Sequence, residues 1–271
     1  MRMRYRRMWF LLLWVGIALG ARAVHARPDA VGAIAAAEPQ AVAAGQQILA
    51  AGGNAADAAV ATALALAVTL PQAGNLGGGG FAVARFGGAV TTLDFRETAP
   101  AAATAGMFLD ASGKPDPRRS RVGGLAVGVP GSPDGYWRLH RRFGKLSWAE
   151  VVAPAVALAA TGFTLPPRTR AALVHEDDAL RAFDVGKPWL INGQVPPAGA
   201  TLRWPALAET LRAYAAQGPS AVTSGSVAGN IAAAVQAHDG VITRQDLRDY
   251  HAIWRAPVRA ELGGWHVASM G

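Results

Sequence analysis

Helical periodicity begins at Glu38, where EPQAVAAGQQILAAGG carries Val42, Ile48 and Leu49 as its larger apolar residues. Pro39 suits the first turn of that helix and Gly52-Gly53 its stop. Asn54 then caps a second helix, AADAAVATALALAVTL, with Asp57 in the first turn where the helix dipole favours it and Pro71 just past the end. This helix is apolar almost all round, which predicts burial. QAGNLGGGG reads as a loop. FAVARF and AVTTLDF then predict two strands of a hairpin closed by Gly87-Gly88. The stretch from Pro100 to Gly124 is long and irregular, and LAVGVPG after it reads as a short apolar strand. From Ser132 to about Ala160 the pattern is helical in two pieces, the second opened by Ser147. Thr161 to Leu202 is proline-rich with weak periodicity. WPALAETLRAYAAQG and VAGNIAAAVQAHDG predict two helices with glycine stops, and TRQDLRDY a helix capped by Thr243. APVRAELGGWHVASMG predicts strand, Gly263-Gly264 turn and strand. Mixed helices and hairpins without an internal repeat or linker point to one α+β domain with a largely antiparallel sheet.

Charge changes this picture only at the start. The chain has 271 residues, 51% of them apolar, and a formal charge of +8, which by itself points to nucleic acid or a membrane surface. Yet five of its 26 basic residues and none of its 18 acidic ones lie in residues 1–23. Arg2, Arg4, Arg6 and Arg7 precede the apolar run Met8 to Gly20, and small-residue cleavage signals follow, Ala21-Arg22-Ala23 and Val24-His25-Ala26. Residues 1–26 read as a signal peptide cleaved near 23 or 26, and 27–271 as the exported part, periplasmic or secreted. The alternative is an uncleaved anchor. The run is shorter than the roughly 20 residues a spanning helix needs, so no stable membrane span is expected. With the leader removed, nucleic acid loses most of its support as a partner. The absence of cysteine excludes a thiol nucleophile, a zinc–thiolate site and a lipoprotein anchor.

Familiar catalytic patterns are missing. His25, His140, His175, His238, His251 and His266 are scattered without HExxH, no metal-ligand spacing occurs, and there is no GxSxG elbow. Gly77 to Gly80 precede a strand and lack the lysine of a phosphate loop. They read either as a flexible turn or as backbone that approaches a ligand or another strand closely. Arg96 stands beside Asp94 and Glu97 at the end of the predicted hairpin. Either the three charges neutralise one another on a surface, or the arginine is held ready for another group.

Several stretches taken in order are more specific than any of these. GGNAADAAVA at Gly52–Ala61, NLGGGGF at Asn75–Phe81, LDFRETAPAAAT at Leu93–Thr104, GGLAVGVPG at Gly123–Gly131, DGVITRQDLRDY at Asp239–Tyr250 and GGWHVASM at Gly263–Met270 resemble the gamma-glutamyltransferase family, also called gamma-glutamyltranspeptidases or glutathione hydrolases. The resemblance runs from about Val31 to Met270. It implies an αββα sandwich of the N-terminal-nucleophile hydrolase type, incomplete in this chain. It also implies a precursor that cleaves itself into large and small subunits. The small subunit's new N-terminal threonine attacks the gamma-glutamyl amide, its own amine serving as base, and water or an acceptor amino acid resolves the gamma-glutamyl-enzyme. No metal or organic cofactor is implied. The arginine of DFRE in such enzymes binds the alpha-carboxylate of the gamma-glutamyl group, which here is Arg96, with Asp94 or Glu97 orienting it. A guanidinium fork suits that carboxylate in shape and charge.

The resemblance covers the large-subunit portion only. Ser269-Met270 is followed by Gly271 alone, and no threonine here, Thr91, Thr92, Thr98 and Thr104 included, matches the nucleophile motif. The expectation is therefore a chain with no catalytic residue of its own, inactive alone, whose partners are a small gamma-glutamyl molecule and the missing small subunit. Two alternatives are a non-catalytic exported binding module for gamma-glutamyl compounds or amino acids, and a signal-anchored structural protein without a ligand.

Overall fold

A computed structural model describes residues 32–271, so the leader expected over residues 1–26 lies outside the described residues. Helix α1 (Pro39–Ala50) is capped by the Glu38 carboxylate, which accepts the N–H groups of Gln40 and Ala41. Helix α2 (Ala55–Thr69) opens with a reciprocal box: Asn54 accepts from Ala56 and Asp57, and Asp57 accepts from Asn54 N at 2.9 Å. Its all-round apolar pattern has the expected consequence. Ala56, Ala58, Val60, Ala61, Leu64, Ala65 and Val68 are buried, with α1 on one side and, on others, α3 (Ser132–Phe143) and α4 (Trp148–Thr161). Full burial of a side chain such as Leu64 stabilises the fold by about 1.5–3 kcal/mol.

The hairpin forms as expected, β1 (Phe81–Phe86) against β2 (Ala89–Asp94), with Gly87 and Gly88 both at positive φ in the turn. After the small helices α5 (Pro167–His175) and α6 (Asp177–Ala182), helices α7 (Pro205–Gln217), α8 (Ser220–Thr223), α9 (Gly225–Gln236) and α10 (Arg244–Asp249) lead to a third strand. Among the described residues β3 (Phe163–Thr164) and β4 (Thr201–Leu202) pair only with each other, and the third strand of the hairpin's sheet is β5 (Ile253–Arg255), which joins β2 antiparallel with Leu93 opposite Trp254. The sheet order is β1-β2-β5. Helix α3 packs against it through Phe143, whose ring stacks on Phe86 at 4.4 Å and meets Trp254 edge-on at 5.8 Å. The last hairpin, β6 (Val258–Leu262) with β7 (Trp265–Ser269), pairs only with itself among the described residues and leaves Leu262 64% and Trp265 77% exposed.

One expected strand is absent. LAVGVPG instead begins as a 3-10 turn at Gly124–Ala126, and only Val129 meets a partner, an antiparallel bridge to Thr98. Gly123 lies at φ +93°, and Gly124 N donates to His238 O at 2.8 Å. A β-carbon on Gly124 would lie 2.2 Å from Val235 O. The chain is bent here against the end of α9, and alternating apolar residues cannot reveal that.

Candidate functional site

Arg96 lies just past the end of β2, where the ladder stops. Phe95 still exchanges hydrogen bonds with Gly80 (2.9 and 3.1 Å), and Thr98 exchanges them with Val129 (3.3 and 2.8 Å). Arg96 and Glu97 span the gap between these two anchors. Asp94 Oδ1 accepts the Arg96 N–H at 3.0 Å, and the Tyr250 hydroxyl donates to Arg96 O at 2.7 Å. The Arg96 side chain is 67% exposed, with Arg96 Nε 3.1 Å from Glu97 Oε2. An ion pair this exposed contributes little stability.

The three charges do not simply neutralise one another. Asp94 turns its other oxygen to Arg255 Nε on β5 at 2.8 Å. Burial pushes the Asp94 carboxyl up, but the Arg96 N–H and the guanidinium of Arg255 outweigh it, and the group titrates below its ordinary value of 3.8. A carboxylate whose pKa is depressed on folding adds stability above the unfolded value and loses it as pH falls through the folded one. Urea unfolding of wild type should therefore lose stability below pH about 4 more steeply than Asp94→Asn; equal slopes would show that the Asp94–Arg255 clip adds nothing.

The glycine run explains itself through contacts. Gly78 O accepts from Gly131 N (2.8 Å) and Ser132 N (2.9 Å), satisfying donors at the start of α3 that no side chain caps. A β-carbon on Gly79 would lie 2.5 Å from Phe95 O and 2.7 Å from Glu97 N. Of the two readings of Gly77 to Gly80, close approach to another backbone segment holds at Gly79, while Gly77 lies in a turn. Gly131 is equally constrained: its β-carbon would lie 2.0 Å from Phe95 O and 2.4 Å from the Tyr250 hydroxyl.

Arg96 opens onto a cleft of about 580 Å³. Its walls are Glu97 to Pro100, the long irregular stretch at Ala103, Thr104, Met107 and Phe108, and the bent segment Leu125 to Gly128. Among the described residues lining this partly apolar cleft Arg96 is the one cation, a group able to take a carboxylate, and Met107, Phe108 and Val127 supply apolar wall. Among the described residues no cluster of three metal-ligating side chains occurs. Thr98 and Thr104 line the cleft, whereas Thr92 is buried in the sheet with its hydroxyl donating to Arg255 O at 2.8 Å.

Two supports were not read from the sequence. Tyr250 passed only as the end of a helix motif, and Asp134 carried no signal beyond its place in the first turn of α3. Asp134 accepts from Arg138 Nε (2.6 Å) on its own helix and from Ala252 N (2.7 Å), tying α3 to the segment entering β5.

Comparison with known proteins shows what the chain is similar to. The family model described as Gamma-glutamyltranspeptidase matches residues 41–271. The chain is 41% identical over 254 residues to a Glutathione hydrolase proenzyme of Pseudomonas aeruginosa, covering 94% of this chain and 45% of the relative. It is 40% identical over 243 residues to the Glutathione hydrolase proenzyme of Escherichia coli, covering 88% and 42%. Among solved structures it is similar to the gamma-glutamyltranspeptidase of Helicobacter pylori, with a TM-score of 0.86 and 36% identity over 89% of this chain and 70% of that one. The α+β architecture of the N-terminal-nucleophile hydrolase type is the one these neighbours share with it. The chain spans less than half the length of the curated relatives it matches.

Proposed function

The chain belongs to the gamma-glutamyltranspeptidase family, and from that premise we propose that it forms the carboxylate-binding part of an enzyme that hydrolyses or transfers gamma-glutamyl groups of glutathione and related amides. Arg96 is the substrate-binding residue: its guanidinium takes the alpha-carboxylate, which leaves the gamma-amide projecting along the cleft. The single observation that carries this reading is the fixed backbone of Arg96 beside an exposed guanidinium, its Nε paired with Glu97, at the mouth of the cleft. A donor without an alpha-carboxylate has no use for that arrangement, so gamma-glutamyl donors are favoured over other acyl amides.

The nucleophile and the oxyanion donors lie in sequence that these 271 residues do not include. The threonine amine as base and backbone N–H groups facing the developing oxyanion come with the remaining part of the enzyme. The N-terminal run of residues 1–26 directs export to the periplasm or beyond.

Purified chain, free of host enzyme, is expected to show no hydrolysis of gamma-glutamyl p-nitroanilide while still binding L-glutamate weakly. Turnover by the chain alone would overturn the assignment of the nucleophile elsewhere. Glutamate binding without any catalytic complement, in the chain's native setting, is the outcome that favours a non-catalytic binding module.

A further inference from the structure

Among the described residues, two hydrogen bonds from side chains to the Arg96 main chain hold the span between the ladder at Phe95 and the bridge at Thr98, and one comes from 154 residues away. That donor, Tyr250, is 8% exposed. It sits between α10 and β5, and both flanks are fixed. Upstream, Thr243 and Asp246 close a capping box, and Asp246 Oδ1 accepts Ala101 N at 2.8 Å, so α10 is tied to the cleft segment itself. Downstream, Ala252 N is held by Asp134 at 2.7 Å. Gly131 leaves the space through which the hydroxyl reaches Arg96 O. Burial, with the charges of Asp94, Asp134 and Glu97 nearby, pushes the hydroxyl up to about 12, so at neutral pH it remains a donor.

We infer that Tyr250 is a positioning residue for Arg96: its hydroxyl fixes the Arg96 carbonyl, and thereby the direction in which the guanidinium meets an incoming carboxylate. The inference rests on the reading of Arg96 as the carboxylate-binding residue. An exposed arginine with a free backbone samples many directions, and binding must then bear the entropy of choosing one. With the N–H held by Asp94 and the carbonyl by Tyr250, the main chain sets where the side chain starts, and Glu97 Oε2, 3.1 Å from Nε, limits where it ends.

The test titrates L-glutamate, and 4-aminobutyrate as the same skeleton without the alpha-carboxylate, into four purified forms of the full chain: wild type, Arg96→Ala, Tyr250→Phe and Tyr214→Phe. Tyr250→Phe keeps the ring and its packing. Tyr214→Phe is the matched control, because that tyrosine is also buried and donates to Pro133 O at 2.6 Å, a backbone carbonyl outside the Arg96 cleft. Tyr250→Phe should raise the dissociation constant for glutamate about five- to tenfold and leave that for 4-aminobutyrate unchanged. Tyr214→Phe should lower the melting temperature without moving either constant. If Tyr250→Phe binds glutamate as wild type does while Arg96→Ala does not, the role given to Tyr250 is wrong and that of Arg96 stands. If Tyr214→Phe weakens glutamate binding equally, the effect is general loosening, and the inference fails. If Arg96→Ala binds as wild type does, or if wild type does not bind glutamate at all, the underlying reading falls and takes the inference with it.

Discussion

Replacing Arg96 by alanine lowers kcat/KM for a gamma-glutamyl anilide by roughly 30- to 1000-fold in a chimera where residues 41–271 replace the matched segment of the Pseudomonas aeruginosa relative. Two parallel hydrogen bonds to a carboxylate, charge-assisted and sheltered once the donor fills the cleft, contribute about 2–4 kcal/mol, and each 1.4 kcal/mol is tenfold. In the proposed role Arg96 holds the alpha-carboxylate equally in ground and transition states, so most of the loss is expected in KM. Arg96→Lys retains the charge without the planar fork and recovers part of the loss, about tenfold over alanine. Steady-state kinetics with purified chimera separate the two constants. A fall confined to kcat, with KM unchanged, would place Arg96 in the chemistry and not in carboxylate binding.

The second large effect lies in the fold. Asp57 is fully buried, and its carboxylate accepts Asn54 N (2.9 Å), Lys145 N (3.0 Å to each oxygen) and Leu146 N (3.3 Å). His140 Nε2 lies 3.4 Å from the same carboxylate. One side chain thus begins α2 and pins the turn between α3 and α4. Asp57→Ala leaves these part-buried backbone donors without their acceptor, at a cost of about 3 kcal/mol, which for a chain of this size lowers the melting temperature by about 10 °C. Asp57→Asn keeps one acceptor oxygen but turns an amide toward N–H groups, so it falls in between. Urea unfolding of the three forms measures the order; an alanine variant within about 0.5 kcal/mol of wild type would mean that water replaces the carboxylate.

Asp57 also shows how far the sequence carries. Its place three residues after Asn54 announced a helix start, and that start is where it was expected. Its bonds to Lys145 and Leu146 join positions nearly ninety residues apart, and no local pattern encodes them. The helices from Glu38 to Thr69, the Gly87-Gly88 hairpin and the Gly263-Gly264 hairpin were legible because period and turn residues are local properties. LAVGVPG was misread for the complementary reason. Its apolar residues look like a strand, but Gly123 and Gly124 bend it against His238 and Val235. The candidate site divides in the same way. Arg96 stands out through its motif and its acidic neighbours, whereas Tyr250, Gly131 and Asp134 matter only because folding brings distant segments to the same backbone.

The central claim is that Arg96 of this chain receives an alpha-carboxylate, and titration calorimetry of L-glutamate against wild type and Arg96→Ala tests it most directly. The account predicts saturable binding to wild type that Arg96→Ala abolishes and that 4-aminobutyrate does not reproduce. Equal affinity of both proteins for glutamate, or equal affinity of wild type for the two ligands, would contradict it.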